Sequence, residues 1–243
     1  MKSIRLSAIA IIALLTFSCS SDDEDKPTLP QAKMVKKEVS VQSGGATSTT
    51  TFGYDAFGRL LTKTTTDEAI TYSRNSVGKI IQAVIVNSGT DRIVTYTYDA
   101  SGRISEMQKK AGSTVEERRT YNYYIDRIVE KYYNIDGANV WDYIHYYTAD
   151  KKNIDRVLRN YGETGVQFSL TTYTYDSKIG LDKVAPYSDM PKPFYNANNP
   201  EHFSLRNQFD TEVSSGNYLY TYDALGYPVT MTDASGTVFT YTY

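Results

Sequence analysis

Four side chains at alternate positions, Trp141, Tyr143, His145 and Tyr147, form the most suggestive chemical grouping in the sequence. Successive side chains of an extended strand point to opposite faces, so these four share one face as a row of amphipathic rings. Rings in that arrangement stack on sugar faces or anchor a protein partner. Val140, Ile144 and Tyr146 make the opposite face apolar too, so burial on both sides accounts for the same pattern. Other reactive groups are sparse. The only other histidine is His202, at no metal-ligand spacing from His145, and the single cysteine, Cys19, lies far from both in sequence. No G-x-S-x-G elbow or D-x-D-x-D-G calcium loop occurs. Two carboxylates would suffice for glycoside hydrolysis, yet Asp55, Asp99, Asp176 and Asp223 all sit at turn positions that already explain them. The expectation is a protein with no enzymatic activity, no metal and no cofactor.

The elements that must position these residues follow from one recurring stretch. Tyr96–Arg103 reads YTYDASGR, with close copies at 52–59 (FGYDAFGR), 173–180 (YTYDSKIG) and 220–227 (YTYDALGY). The alternating Tyr-Thr-Tyr suits a pleated surface, with the tyrosines on one face. Aspartate opening a tight turn accepts hydrogen bonds from the backbone two residues on, and glycine three positions later supplies the left-handed conformation that closes a bulged type I turn. The spacing recurs as Asp55–Gly58, Asn75–Gly78, Asp99–Gly102, Asn134–Gly137, Asp223–Gly226 and Asp233–Gly236. Glycine is missing around 127 and 152, which predicts looser turns there. Met34–Gln42 reads as the first strand, with Val35, Val39 and Val41 on one face. The paired tyrosines at 96/98, 121/123, 173/175 and 218/220/222 read as cross-strand ladders. Twenty-three tyrosines against one tryptophan agree with extensive antiparallel sheet. The fold class is therefore all-β: a large curved antiparallel meander, or a partly open barrel, of serial hairpins.

The front of the chain is an address. Lys2 and Arg5 precede an apolar run, Leu6–Phe17, too short to span a bilayer. Residues 1–18 read as a signal peptide. LLTFSC resembles the lipobox of bacterial lipoproteins, which implies lipidation of Cys19. The acidic run 22–25 resembles the export signal of Bacteroidetes-type lipoproteins, which implies an outer-membrane location facing the cell exterior, with the lipid as the membrane partner. Residues 19–32 form an acidic, proline-bearing tether, and 33–243 a single β domain. Removing Lys2 and Arg5 takes the net charge from −2 to −4, and no basic stripe supports nucleic-acid binding.

Residues 181–209 break the hairpin rhythm. They hold Pro186, Pro191, Pro193 and Pro200 among several asparagines, and Asn199-Pro200-Glu201 predicts a short helix near 200–207. Such an insertion is either functional or a lid over a sheet edge or barrel mouth. The YD motif is similar to the tyrosine-aspartate repeats of Rhs-type shells. With the acidic tether after Cys19, YTYD at 173–176 before the insertion, and the closing YTYDALGYPVTM at 220–231, the mature chain resembles a family of uncharacterised Bacteroidetes-type lipoproteins with a porin-like antiparallel fold. That resemblance implies an architecture and no catalytic residue. The functional expectation is a surface-anchored binding or scaffolding module for a glycan or protein ligand. The alternatives are a carbohydrate-active enzyme with paired carboxylates in the sheet's concavity, or a structural outer-membrane accessory.

Overall fold

The computed structural model describes residues 33–243; the signal segment, the tether and Cys19 lie outside the described residues. Each Asx turn forms as its residue types dictate. Asp55 Oδ1 accepts the backbone N–H groups of Phe57 (2.9 Å) and Arg59 (3.0 Å), and the Gly58 N–H closes on the Asp55 carbonyl at 3.0 Å. Gly58 has φ +74°, and the other five glycines of the recurring spacing also have positive φ. A β-carbon there would strain the backbone by about 1–2 kcal/mol. Arg59 and Arg103, four residues after their aspartates, bond them through Nε at 2.8 and 2.9 Å.

Between these turns the chain lays down β1 (Lys37–Val41), β2 (Thr47–Tyr54), β3 (Leu60–Thr64), β4 (Glu68–Arg74), β5 (Ile80–Asn87) and β6 (Arg92–Tyr98). It continues through β7 (Ile104–Ala111), β8 (Thr114–Tyr123), β9 (Arg127–Tyr133), β10 (Asn139–Tyr147), β11 (Ile154–Tyr161) and β12 (Gln167–Tyr175). After a long excursion come β13 (Pro200–Asn207), β14 (Glu212–Asn217), β15 (Leu219–Tyr222), β16 (Pro228–Thr232) and β17 (Val238–Thr242). These strands form a 17-stranded antiparallel sheet in which sequence neighbours pair in order, the meander that the turns predict. Strand β17 also pairs with β1 from Lys37↔Thr242 to Val41↔Val238, so the sheet curls round to meet its own beginning. The change of partner comes at Tyr218, whose N–H donates to the Glu201 carbonyl of β13 at 2.8 Å. It divides one extended run into β14, which pairs with β13, and β15, which pairs with β16. The result is a nearly closed barrel.

One end of this barrel is stapled by tyrosine hydroxyls. Tyr98 donates to the Ile80 carbonyl (2.5 Å), Tyr123 to Ile104 (2.8 Å), Tyr175 to Ile154 (2.6 Å) and Tyr243 to Pro228 (2.7 Å). The acceptor in each case is the buried residue that opens a strand after a turn. Register shifts beside Ile80, Ile104, Ile154 and Pro228 interrupt the ladder there, and the phenol supplies a donor for the carbonyl.

The same end is filled by residues 177–199. Only a single 3-10 turn, Leu181–Lys183, is regular in this segment. Val184 is 2% exposed in the main core with Leu60, Ile80 and Val94. Tyr187 packs edge-on to Phe52 and Tyr241, and its hydroxyl bonds Glu38. Asparagines satisfy the buried backbone: Asn196 Oδ1 accepts from Ile154 N–H, Asn153 Oδ1 from Ala197 N–H and Asn199 Oδ1 from Leu181 N–H, each at 2.9 Å. The insertion is a plug at one end of the barrel.

Three expectations are corrected. Residues 200–207 are strand β13, not a helix, because Asn199 spends its side chain on the plug, leaving no helix cap. Phe203 and Leu205 then alternate with Ser204 and Arg206 along the strand, and Pro200, which has no N–H, falls at the strand's first residue. The turn near 127 is tighter than expected, with Tyr124 N–H bonded directly to the Arg127 carbonyl, whereas in the 148–153 turn Lys151 itself takes φ +57°. In β1, Glu38 reaches the plug's Tyr187, so Val39 and Val41 take the opposite face while Val35, before the strand, is fully buried.

Candidate functional site

Strand alternation puts Trp141, Tyr143, His145 and Tyr147 on the inner face of β10, and neighbouring strands bring partners that single-strand reasoning misses. Tyr143 lies opposite Glu130 of β9 and Arg159 of β11; Glu130 in turn lies opposite Tyr121 of β8, and Arg159 opposite Ser169 of β12. One belt across five strands therefore carries two tyrosines, an acid and a guanidinium.

Glu130 is 5% exposed and fully engaged. Its two oxygens take His145 Nε2 at 3.0 Å and Arg119 Nη1 at 2.6 Å, while Arg119 Nε reaches Glu117 at 2.5 Å. Burial pushes the Glu130 carboxyl up, but the hydrogen bond and charge of His145, joined by Arg119, outweigh it and hold the group below the usual carboxylate range. Burial likewise opposes the charge on Arg119, and Glu117 and Glu130 overcome it, raising its pKa. The network is a locked ion cluster.

Arg159 is different. Its guanidinium carbon stands 3.5 Å from the Trp141 ring centre, 4.9 Å from that of Phe168 and 5.8 Å from that of Tyr143. Trp141 stacks on Tyr161 at 4.9 Å, and both rings contact Phe168. No carboxylate among the described residues pairs with Arg159, and its Nε is buried without a hydrogen-bond partner. A guanidinium caged by rings without a counter-charge keeps free N–H donors that can reach an acceptor.

Beside it opens a cavity of about 760 Å3, at the end of the barrel opposite the plug. Tyr143, His145, Arg159, Phe168, Tyr173 and Phe209 contribute to its wall, and Phe209 on the rim is 78% exposed. Its volume, and a wall that mixes rings with Val157, Leu205 and Val213, fall within the range of small-molecule pockets. Of the four residues singled out from sequence, Tyr143 and His145 line this cavity, and Trp141 braces Arg159. Tyr147 is separated from them: it lies at the plug end, 5.1 Å from Phe194, in a second cavity. Glu130, Arg119, Arg159, Tyr161 and Phe168 escaped the sequence reading. The available signal was that Arg119 shares strand parity with Tyr121 and Tyr123, and Arg159 with Tyr161.

The turn aspartates are committed to structure. Asp55 is held below the usual range mainly by the Arg59 side chain, Asp99 by the Arg103 backbone N–H, and Asp223 by Lys33. Asp176 accepts from Asn199 N–H at 3.1 Å and from the Tyr222 hydroxyl. His202 bonds Asn217 Oδ1 at 2.9 Å, and no metal-holding group of acids, histidines and cysteines occurs among the described residues.

No protein-family model matches the chain, and no curated protein matches it. Among solved structures it is similar to a porin-like protein from Bacteroides uniformis ATCC 8492, with 17% identity, a TM-score of 0.59, and coverage of 87% of this chain and 98% of that one. It is also similar to a porin-like protein from Bacteroides vulgatus ATCC 8482, with 15% identity, a TM-score of 0.55, and coverage of 88% and 99%. At such identities the likeness is one of fold, and the fold is the porin-like antiparallel sheet.

Proposed function

We propose that the protein is a non-enzymatic binding module, carried on the bacterial outer membrane by a lipid on Cys19, that holds a glycan in the aromatic cavity. The observation that carries this reading is the caged Arg159 beside Tyr143 in a 760 Å3 cavity whose lining contains no carboxylate. Aromatic faces stack on sugar rings, and a guanidinium donates to their hydroxyls. A glycosidase needs one carboxyl kept protonated as the acid. Glu117 and Glu130 instead converge on one arginine, and Glu130 is held ionised. That favours binding over hydrolysis.

Trp141 is the only tryptophan, so its fluorescence reports directly on the site. Neutral oligosaccharides selected on a glycan array should quench it in a saturable way, and Tyr143→Ala should weaken binding about tenfold, the equivalent of roughly 1.4 kcal/mol. Binding by no arrayed glycan, or binding untouched by Tyr143→Ala, removes the glycan reading. Turnover of any oligosaccharide overturns the non-enzyme reading. For the anchor, Cys19→Ala should release the protein to the soluble fraction, and retention in membranes counts against lipidation.

A further inference from the structure

The second cavity, about 580 Å3, lies between plug residues 188–195 and the stapled end of the strands, and its chemistry differs from the first. Five cationic side chains line it, Arg74, Lys79, Arg103, Lys183 and Lys192, against one acid, Asp189. Three of the cations are neutralised: Arg74 by Asp189 at 3.1 Å, Arg103 by Asp99 at 2.8 Å, and Lys192 by Asp182. Lys79 and Lys183 have no carboxylate partner among the described residues. Lys79 donates to the Gly102 carbonyl and stands 4.9 Å from the Tyr98 ring centre; Lys183 donates to the Tyr195 carbonyl at 3.2 Å. A carbonyl occupies one of an ammonium's three donors and leaves its charge in place. The cavity therefore carries two uncompensated positive charges.

Its walls are aromatic as well: Tyr98, Tyr123, Tyr147, Phe194 and Tyr195. The hydroxyls of Tyr98, Tyr123 and Tyr195 are already bonded to the carbonyls of Ile80, Ile104 and Met190. Lys79 stands over one face of the Tyr98 ring and the Arg103 guanidinium over one face of Tyr123, at 4.2 Å; what these residues offer a ligand is the remaining ring surface. A bare inorganic anion would use the ammonium groups and leave the rings idle. A ligand with both a flat, partly apolar ring and a carboxylate uses both. We infer that this cavity binds an acidic sugar of the uronate class, its carboxylate taken by Lys79 and Lys183 and its ring by the tyrosine faces. This site is independent of the glycan cavity at the opposite end.

Calorimetry on the detergent-solubilised mature chain tests the assignment, with trigalacturonate as probe, maltotriose as the neutral control of equal length, and inorganic phosphate as the bare anion. Trigalacturonate should bind, and the double variant Lys79→Gln/Lys183→Gln should weaken it about tenfold or more, the scale of a lost charge-assisted hydrogen bond. Lys183→Gln alone, at an exposed position, should weaken it in the same direction and guards against a folding defect at Lys79. Tyr143→Ala should leave this binding unchanged, which separates the two cavities. The inference is overturned if trigalacturonate does not bind, or if, in the Tyr143→Ala background that disables the other cavity, maltotriose or phosphate alone binds as tightly. It also fails if the double variant binds like wild type, or if Tyr143→Ala abolishes uronate binding.

Discussion

The second tyrosine of the YxYD motif and its aspartate divide one task between them. The aspartate turns the chain, and in the copies at 96–99 and 173–176 the tyrosine hydroxyl caps the carbonyl left over by the bulge of the preceding hairpin, at Ile80 and Ile154, whereas Tyr222 donates to the Asp176 carboxylate. Where the motif reads Tyr72-Ser73-Arg74-Asn75, arginine stands in the tyrosine's place and does the same work, donating to the Leu60 carbonyl at 2.9 Å. The inner-face charges follow a separate logic, and Glu130 shows it. Its folded pKa is depressed, so the stability it contributes is present above its unfolded value of about 4.3 and is lost as pH falls through the lower folded value. Glu130→Gln should cost about 1–2 kcal/mol at pH 7, after allowing for the 34% exposure of the Arg119 side chain. In urea denaturation the gap between variant and wild type should narrow towards pH 3; a gap constant with pH would mean that Glu130 is not a depressed carboxylate. Residue identity at the turns was legible in the sequence because an Asx turn is a local object. The Glu130–His145–Arg119 cluster was not, because its members sit on three strands and meet only through register.

At the scale of elements, the hairpins form almost where their turn residues place them, and the plug is where sequence reasoning stops. A buried irregular segment is unusual because its backbone must find partners, and here asparagine side chains and Asp189 supply them. Asp189 Oδ2 accepts the Leu60 N–H at 2.6 Å and Arg74 at 3.1 Å, latching the plug to the start of β3 and the end of β4. Asp189→Ala should cost about 2–3 kcal/mol, since it leaves a buried N–H without its acceptor and Arg74 without its counter-charge. Hydrogen exchange should then quicken across 184–195 while the central strands of the sheet keep their protection. Equal loosening of plug and sheet would show instead that the two unfold as one unit. Proline and asparagine marked this segment as irregular, but the same residues at 199–201 also suggested a helix that the pairing of β12 with β13 prevents. Only the neighbouring strand decided between them.

For the whole molecule, closure is the organising fact. β17 fills the gap between β16 and β1, and it carries Tyr241 (5% exposed) into the core. A chain ending at Thr237 should expose the edges of β1 and β16, lose its cooperative melt and associate, seen as a shift to large species in light scattering; a monomeric, cooperatively folded truncation would show that closure is dispensable. The two faces of the barrel also differ in kind. Thr71, Ser73, Thr97, Thr172, Thr174, Thr221 and Thr240 are exposed, while Tyr72, Tyr98, Tyr173, Tyr175, Tyr220 and Tyr241 on the other parity are buried or half-buried. Exposed apolar side chains, Leu61, Val86, Ile93 and Leu219 among them, are interspersed with these threonines, and the inner face adds Arg119, Glu130 and Arg159 to its rings, so neither face is purely polar or purely apolar. By itself the amino-acid sequence determined the turns, the strand rhythm and which parity holds the rings, because each follows from contacts within a few residues. The tertiary structure alone decided that β17 meets β1, that the insertion folds inward as a plug, and that Arg159 and Glu130 share a belt with Tyr143, because those depend on register between strands and no local pattern encodes it.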